Sequence, residues 1–184
     1  MSVSVGINRS IILLILLFMF VGCSSKTKQQ IAVRRMYGRT IEYANDYIAV
    51  DKDTFTQKQV YKNDVVTLVT YIDSVICPKC VLNEYQLFRD LFDQYDKSQF
   101  QLLLIIGKRD PSEVRGFLSE LDFPYVVYID NGWFFDSNKL SAILPQNRSF
   151  LLDKESKVRL IGDPFLNKKI YDLYSETIHN LIME

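Results

Sequence analysis

Two thiols three residues apart, in Cys77-Pro78-Lys79-Cys80, carry the clearest chemistry in the chain. They stand where an apolar, β-branched run over 65–72 (VVTLVTYI) gives way to helical periodicity. A thiol at a helix start faces unpaired N–H groups and the positive end of the macrodipole, and both favour the thiolate. In that setting a thiol of ordinary pKa falls to ~3.5–7.5. The second thiol, one turn in on the same side, is within disulfide reach. Such a pair exchanges disulfides: Cys77 attacks as nucleophile and Cys80 resolves the mixed disulfide. Pro78 suits the first turn because its missing N–H needs no partner. Lys79 adds a cation expected to lower both thiol pKa values. Three bland readings stand beside this one: half of a zinc site, a purely structural disulfide, and a fold that retains the pair with little catalysis. Zinc would need His179, and structural zinc takes four Cys or His ligands. Three Cys and one His do not readily supply them, so no metal and no cofactor is expected.

Asp73 precedes Cys77 by four residues. If the strand before it alternates strictly, Asp73 lies at the sheet edge beside the thiols. Partial desolvation would raise its pKa, and it could then take the proton of Cys80 during resolution. The competing role is a turn acid bonded to nearby backbone N–H groups. Glu84 follows on the same helix and reads as a solvated face. His179 reads as a surface residue, Trp133-Phe134-Phe135 as core packing, and Lys108-Arg109-Asp110 as a polar loop.

The elements that must hold the pair follow from periodicity. Strands are expected at 65–72, 100–106 (FQLLLII) and 125–129 (YVVYI). A long amphipathic helix is expected over 77–97, with Val81, Leu82, Tyr85, Phe88, Leu91, Phe92 and Tyr95 on one face. A second begins at Pro111 and runs to 121. A short helix or loop covers 133–140. SFLLD at 149–153 and KVRLI at 157–161 form a hairpin, and a last helix spans 166–183. Upstream, 39–43 and 54–56 read as short strands. The order is α/β, three layers α/β/α with a central mixed sheet and βαβ crossovers. The 184 residues, 48 % apolar and 24 % charged, suit one globular domain. Disordered, collagen-like and polytopic membrane chains are excluded. Lys+Arg and Asp+Glu are both 22, and no basic excess of the kind nucleic-acid binders show is visible.

The first residues read as an export signal. Arg9 is followed by an apolar run at 11–21 (IILLILLFMFV), too short for the ~20 residues of a membrane span. Phe20-Val21-Gly22-Cys23-Ser24-Ser25 resembles the lipobox of bacterial lipoproteins. That resemblance implies a signal peptide over 1–22, a lipidated Cys23 and a polar tether to residue 35, with the folded domain over 36–184. Several acyl chains anchor a protein stably where one does not.

Strand, CxxC at a helix start, strand, helix and a hairpin reading FLLDKESKVRLIGDP resemble the thioredoxin fold. The pattern most resembles membrane-anchored, extracytoplasmic thioredoxin-like proteins, and TYIDSVICPKC at 70–80, with residues 150–174, is similar to a set of thioredoxin-like bacterial lipoproteins whose substrates are unassigned. The resemblance spans about residues 60 to 182 and implies a periplasm-facing oxidoreductase on the cell membrane or outer membrane of a Gram-negative bacterium. Its partners would be protein thiols or disulfides and a redox partner protein. The chain departs from the family pattern at Ile76, where an aromatic residue is usual, and at Tyr71, where thioredoxins carry a buried acid. It departs again at Asn147, the cis-proline position, with Pro145 the nearest proline. The other class of function is a binding or scaffold lipoprotein whose CxxC is structural. Exposure of the Cys77 sulfur separates the two.

Overall fold

The computed structural model describes residues 28–58, 64–145 and 148–184. The expected signal peptide, Cys23 and Asn147 lie outside these residues. Seven strands form one mixed sheet: β1 (Tyr47–Val50), β2 (Phe55–Lys58), β3 (Val66–Ile72), β4 (Phe100–Gly107), β5 (Val127–Asp130), β6 (Ser149–Leu152) and β7 (Val158–Ile161). Their spatial order is β2-β1-β5-β4-β3-β6-β7. β3, β4 and β5 run parallel, with Ile72 opposite Ile106 and Gly107 opposite Asp130. β6 pairs antiparallel with β3, and β1 with β5.

The helices are α1 (28–36), α2 (Pro78–Leu87), α3 (Asp90–Asp93), α4 (Pro111–Glu120), α5 (Trp133–Ser137) and α6 (Lys168–Met183). Alternation along the strands divides the core in two. Leu68, Ile72, Leu104, Ile106 and Leu151 face α2, α4 and α6, meeting Leu82, Val114, Leu118 and Ile178. Val69, Tyr71, Leu103, Ile105 and Phe150 face the other way, towards Met36, Phe134 and Ile143. Helices therefore cover both faces, and the expected three-layer mixed architecture is present.

The helix expected over 77–97 is two pieces. α2 ends at Phe88, whose φ of −106° and ψ of 21° leave the helix, and α3 follows at Asp90. The apolar spacing persists through the break because Phe88 stacks on Phe165 at 4.6 Å while Leu91 and Phe92 stay in the core. The strand expected at 39–43 reduces to a single bridge between Thr40 and Lys157. The first strand of the sheet is instead β1, which starts at Tyr47 and lies between β5 and the edge strand β2. Helix α1 occupies residues read as tether and buries Met36.

Gly107 ends β4 against Tyr71. A Cβ there would collide with the Tyr71 hydroxyl and lie 3.1 Å from its Cζ. Gly107→Ala should therefore cost about 1–3 kcal/mol, as overpacking does. Tyr71→Phe in the same chain should return part of that loss, read as a denaturation midpoint. An unshifted midpoint in the single variant would contradict the packing.

Candidate active site: a disulfide at the end of the central strand

β3 is buried at every position, so the chain leaves the sheet only at its C-terminal edge. There Asp73 accepts the Val75 N–H at 3.1 Å and closes a turn. Ile76 donates to the Asp73 carbonyl at 3.0 Å, which sets Cys77 at the N-cap of α2. The Cys77 sulfur accepts the Cys80 N–H at 3.3 Å. Cys77 and Cys80 are joined as a disulfide, with Cα atoms 5.4 Å apart, and both residues are solvent-exposed. Pro78 occupies the first turn and is buried. That same N–H would donate to a thiolate at the capping sulfur in the reduced protein, and such a bond favours the charged form.

Lys79 is otherwise engaged. Its ammonium lies 2.5 Å from Glu120 of α4, so its charge is matched by a carboxylate and does not act on the thiols alone, as the sequence had suggested. Arg109 donates to the Ser74 carbonyl at 2.9 Å and pairs with Glu113. Asp110 caps α4. The 108–110 loop thus braces the turn before the disulfide.

Asp73 is where the electrostatic expectation fails. Burial by itself would raise its pKa, but the Val75 N–H and the Arg148 guanidinium outweigh burial and hold the carboxyl below its ordinary value. Asp73 pairs with Arg148, whose side chain is 5 % exposed and also donates to the Ile143 carbonyl at 3.0 Å. The guanidinium carbon lies 4.9 Å from the Phe135 ring centre. This is an anchored turn acid. Sequence reasoning passed over Arg148, although an arginine one residue removed from the all-apolar run 150–152 must find an acid or leave the interior.

Beneath α2, Thr70 hydrogen-bonds the Tyr85 hydroxyl and, at 2.9 Å, Ser149. A cavity of about 150 Å³ opens beside this cluster, lined by Ile76, Val81, Glu84, Pro145 and Asp163 among others. Burial, and then the like charge of Asp163, push the Glu84 pKa up. Glu84 stands one turn after Cys80, so it shares a helix face with the second thiol. Glu84, read from sequence as a solvated face, is surface-exposed yet lines this cavity. His179 is exposed on α6. Phe134 is fully buried as core packing, while Trp133 is 41 % exposed. Among the described residues there is no cis peptide bond and no cluster of metal-ligating side chains.

No protein-family model and no curated relative matches the chain. Solved structures do. The thioredoxin domain of a thiol-disulfide oxidoreductase from Bacteroides vulgatus is similar with TM-score 0.56 and 12 % identity, over 79 % of this chain and 97 % of that one. A putative thiol:disulfide interchange protein DsbE from Chlorobium tepidum gives TM-score 0.54 and 17 % identity, over 78 % and 98 %. A putative protein disulfide isomerase from Bacteroides thetaiotaomicron gives 0.53 and 16 %, over 79 % and 91 %. The fold is thioredoxin-like.

Asp73→Asn leaves Arg148 buried without its counter-charge and should cost about 3 kcal/mol at neutral pH. Because the folded pKa of Asp73 is depressed, its contribution is present above the unfolded carboxylate value and disappears as pH falls through the folded one. Urea unfolding should therefore separate variant and wild type at pH 7 and bring them together in acid. A gap that widens in acid would refute the pairing.

Proposed function

We propose that the protein is a thiol–disulfide oxidoreductase with Cys77 as nucleophile and Cys80 as resolving thiol. The observation that carries this is an exposed disulfide at the N-terminus of α2, at the C-terminal edge of a buried parallel strand. A sealed pair would favour a structural cross-link, and this one meets solvent. A substrate thiolate attacks the Cys77 sulfur, forming a mixed disulfide and releasing Cys80 as a thiolate that takes up a proton. A second substrate thiolate then displaces Cys77, and the substrate leaves oxidised. Run in reverse, Cys77 attacks a substrate disulfide and Cys80 resolves it.

In this reading Asp73 is a positioning residue. A carboxylate held below its usual pKa by a buried arginine is a poor proton acceptor. Glu84, with its raised pKa and its place one turn after Cys80, suits the task better. Cys80→Ala should accumulate a mixed disulfide with a model substrate, and Cys77→Ser should not. Reduced Cys77 should titrate below ~8.5 by alkylation rate against pH. Resolution in the wild type should gain a limb rising through the Glu84 pKa, and Glu84→Gln should lose that limb and slow by ~10²-fold. Reaction of Cys77 only in strong alkali would end the nucleophile assignment.

The compartment belongs to the same proposal. The apolar run 11–21 and the sequence around Cys23 support export and lipid anchoring on the periplasmic side of a membrane, where disulfides persist. Protein thiols or disulfides and a redox partner protein are the partners that chemistry requires. Cys23→Ala should leave the precursor uncleaved or release the protein from membranes. Unchanged maturation and detergent-phase partitioning of that variant would remove the anchor.

A further inference from the structure

Between Cys23 and the body of the fold the charges are one-sided. Lys26, Lys28, Arg34, Arg35 and Arg39 occur before the first acid, Glu42, in a chain whose net charge is zero. Read as a whole, the composition conceals this local excess. The fold then sorts the cations that it describes. Arg39 turns inward and donates to the Ser137 carbonyl at 3.3 Å. α1 packs Ala32, Val33 and Met36 onto the second core, and that docking leaves Lys28, Ile31, Arg34 and Arg35 on its outer side. Tyr37 extends the surface, 62 % exposed, and Ile31 is 44 % exposed. Among the described residues Lys28, Arg34 and Arg35 take part in no ion pair, although seven others form. Cations beside a few exposed apolar side chains suit the headgroup region of an anionic bilayer.

The length of chain before α1 selects the occupant. Cys23 lies five residues before Lys28, a reach of at most ~18 Å when fully extended. With acyl chains on Cys23, α1 could not leave the neighbourhood of the lipid surface. We infer that the outer face of α1, formed by Lys28, Ile31, Arg34, Arg35 and Tyr37, docks on anionic phospholipid and orients the domain on the membrane. This rests on the Cys23 anchor for its proximity and on the α1 face for its orientation. The consequence for the site is geometric. At the start of α1, Gln29 accepts the Leu144 N–H at 3.3 Å. Leu144 precedes Pro145, which lines the cavity with Ile76, the residue before Cys77. The anchored end of α1 and the disulfide loop therefore share one edge of the domain. Docking holds that edge towards the bilayer, where membrane-proximal thiols of a partner protein would be met first.

The full lipid-modified chain, mixed with vesicles of phosphatidylcholine alone or with added phosphatidylglycerol, separates anchor from face. Flotation with neutral vesicles reports the anchor. Energy transfer from Trp133, the single tryptophan, to a dansyl-headgroup lipid reports orientation. Transfer should be about twofold greater in anionic vesicles, and should fall to the neutral level in high salt and in the triple variant Lys28→Gln, Arg34→Gln, Arg35→Gln. Flotation with anionic vesicles only would remove the anchor and leave the docking face standing. Flotation with both, with transfer equal in both and indifferent to the variant, would overturn the docking face and leave an acidic protein surface as its occupant. Flotation with neither would overturn both.

Discussion

The structure depends on the complete burial of β3. It has a neighbour on each side, β4 and β6, and apolar layers on both faces. A strand so enclosed has no unpaired edge, and its side chains reach no solvent. Polar chemistry attached to it must sit beyond its C-terminal end. That is where the turn at Asp73 and the disulfide stand. The parallel pairing with β4 requires a crossover, and α2 begins it. The dipole of α2 therefore points its positive end at Cys77 because the sheet is parallel there.

Two polar groupings secure this edge without filling it. Thr70, Tyr85 and Ser149 tie β3, α2 and β6 together just inside it. Asp73, Arg148 and the Ile143 carbonyl tie the turn to the segment leading into β6. Arg109 adds a tie from the loop after β4. A turn held by these ties fixes the α2 N-terminus beside the disulfide. The electrostatic division matters as much. The carboxylate nearest the turn is neutralised by a buried cation. The carboxylate that lines the cavity, Glu84, has its pKa pushed up by burial and then by the like charge of Asp163. Two acids, one before and one after the thiol pair in sequence, thus have pKa values shifted in opposite directions by their surroundings.

Much of this was determined by sequence alone. Runs of β-branched and aromatic residues mark β3, β4 and β5 because strands buried on both faces need no alternation. The CxxC pair at the junction of strand and helix was legible as a candidate site, since a helix start favours a thiolate. The hairpin, α4 and α6 were legible from turn residues and from spacing. What tertiary structure decided were partners distant along the chain. For Asp73 sequence left both a base and a turn acid open, because Arg148 lies 75 residues away and meets it only when β6 pairs with β3. Lys79 looked like an activating cation until α4 brought Glu120 to it. Glu84 is exposed, as its place on the helix suggested, but its cavity neighbours Asp163 and Pro145 come from separate loops that converge only in the fold. The break after Phe88 hid within unbroken periodicity because Phe165 takes up that ring. Local sequence specifies elements through short-range propensity and burial. A pKa depends on charges a few ångströms away, and sheet order determines which ones those are.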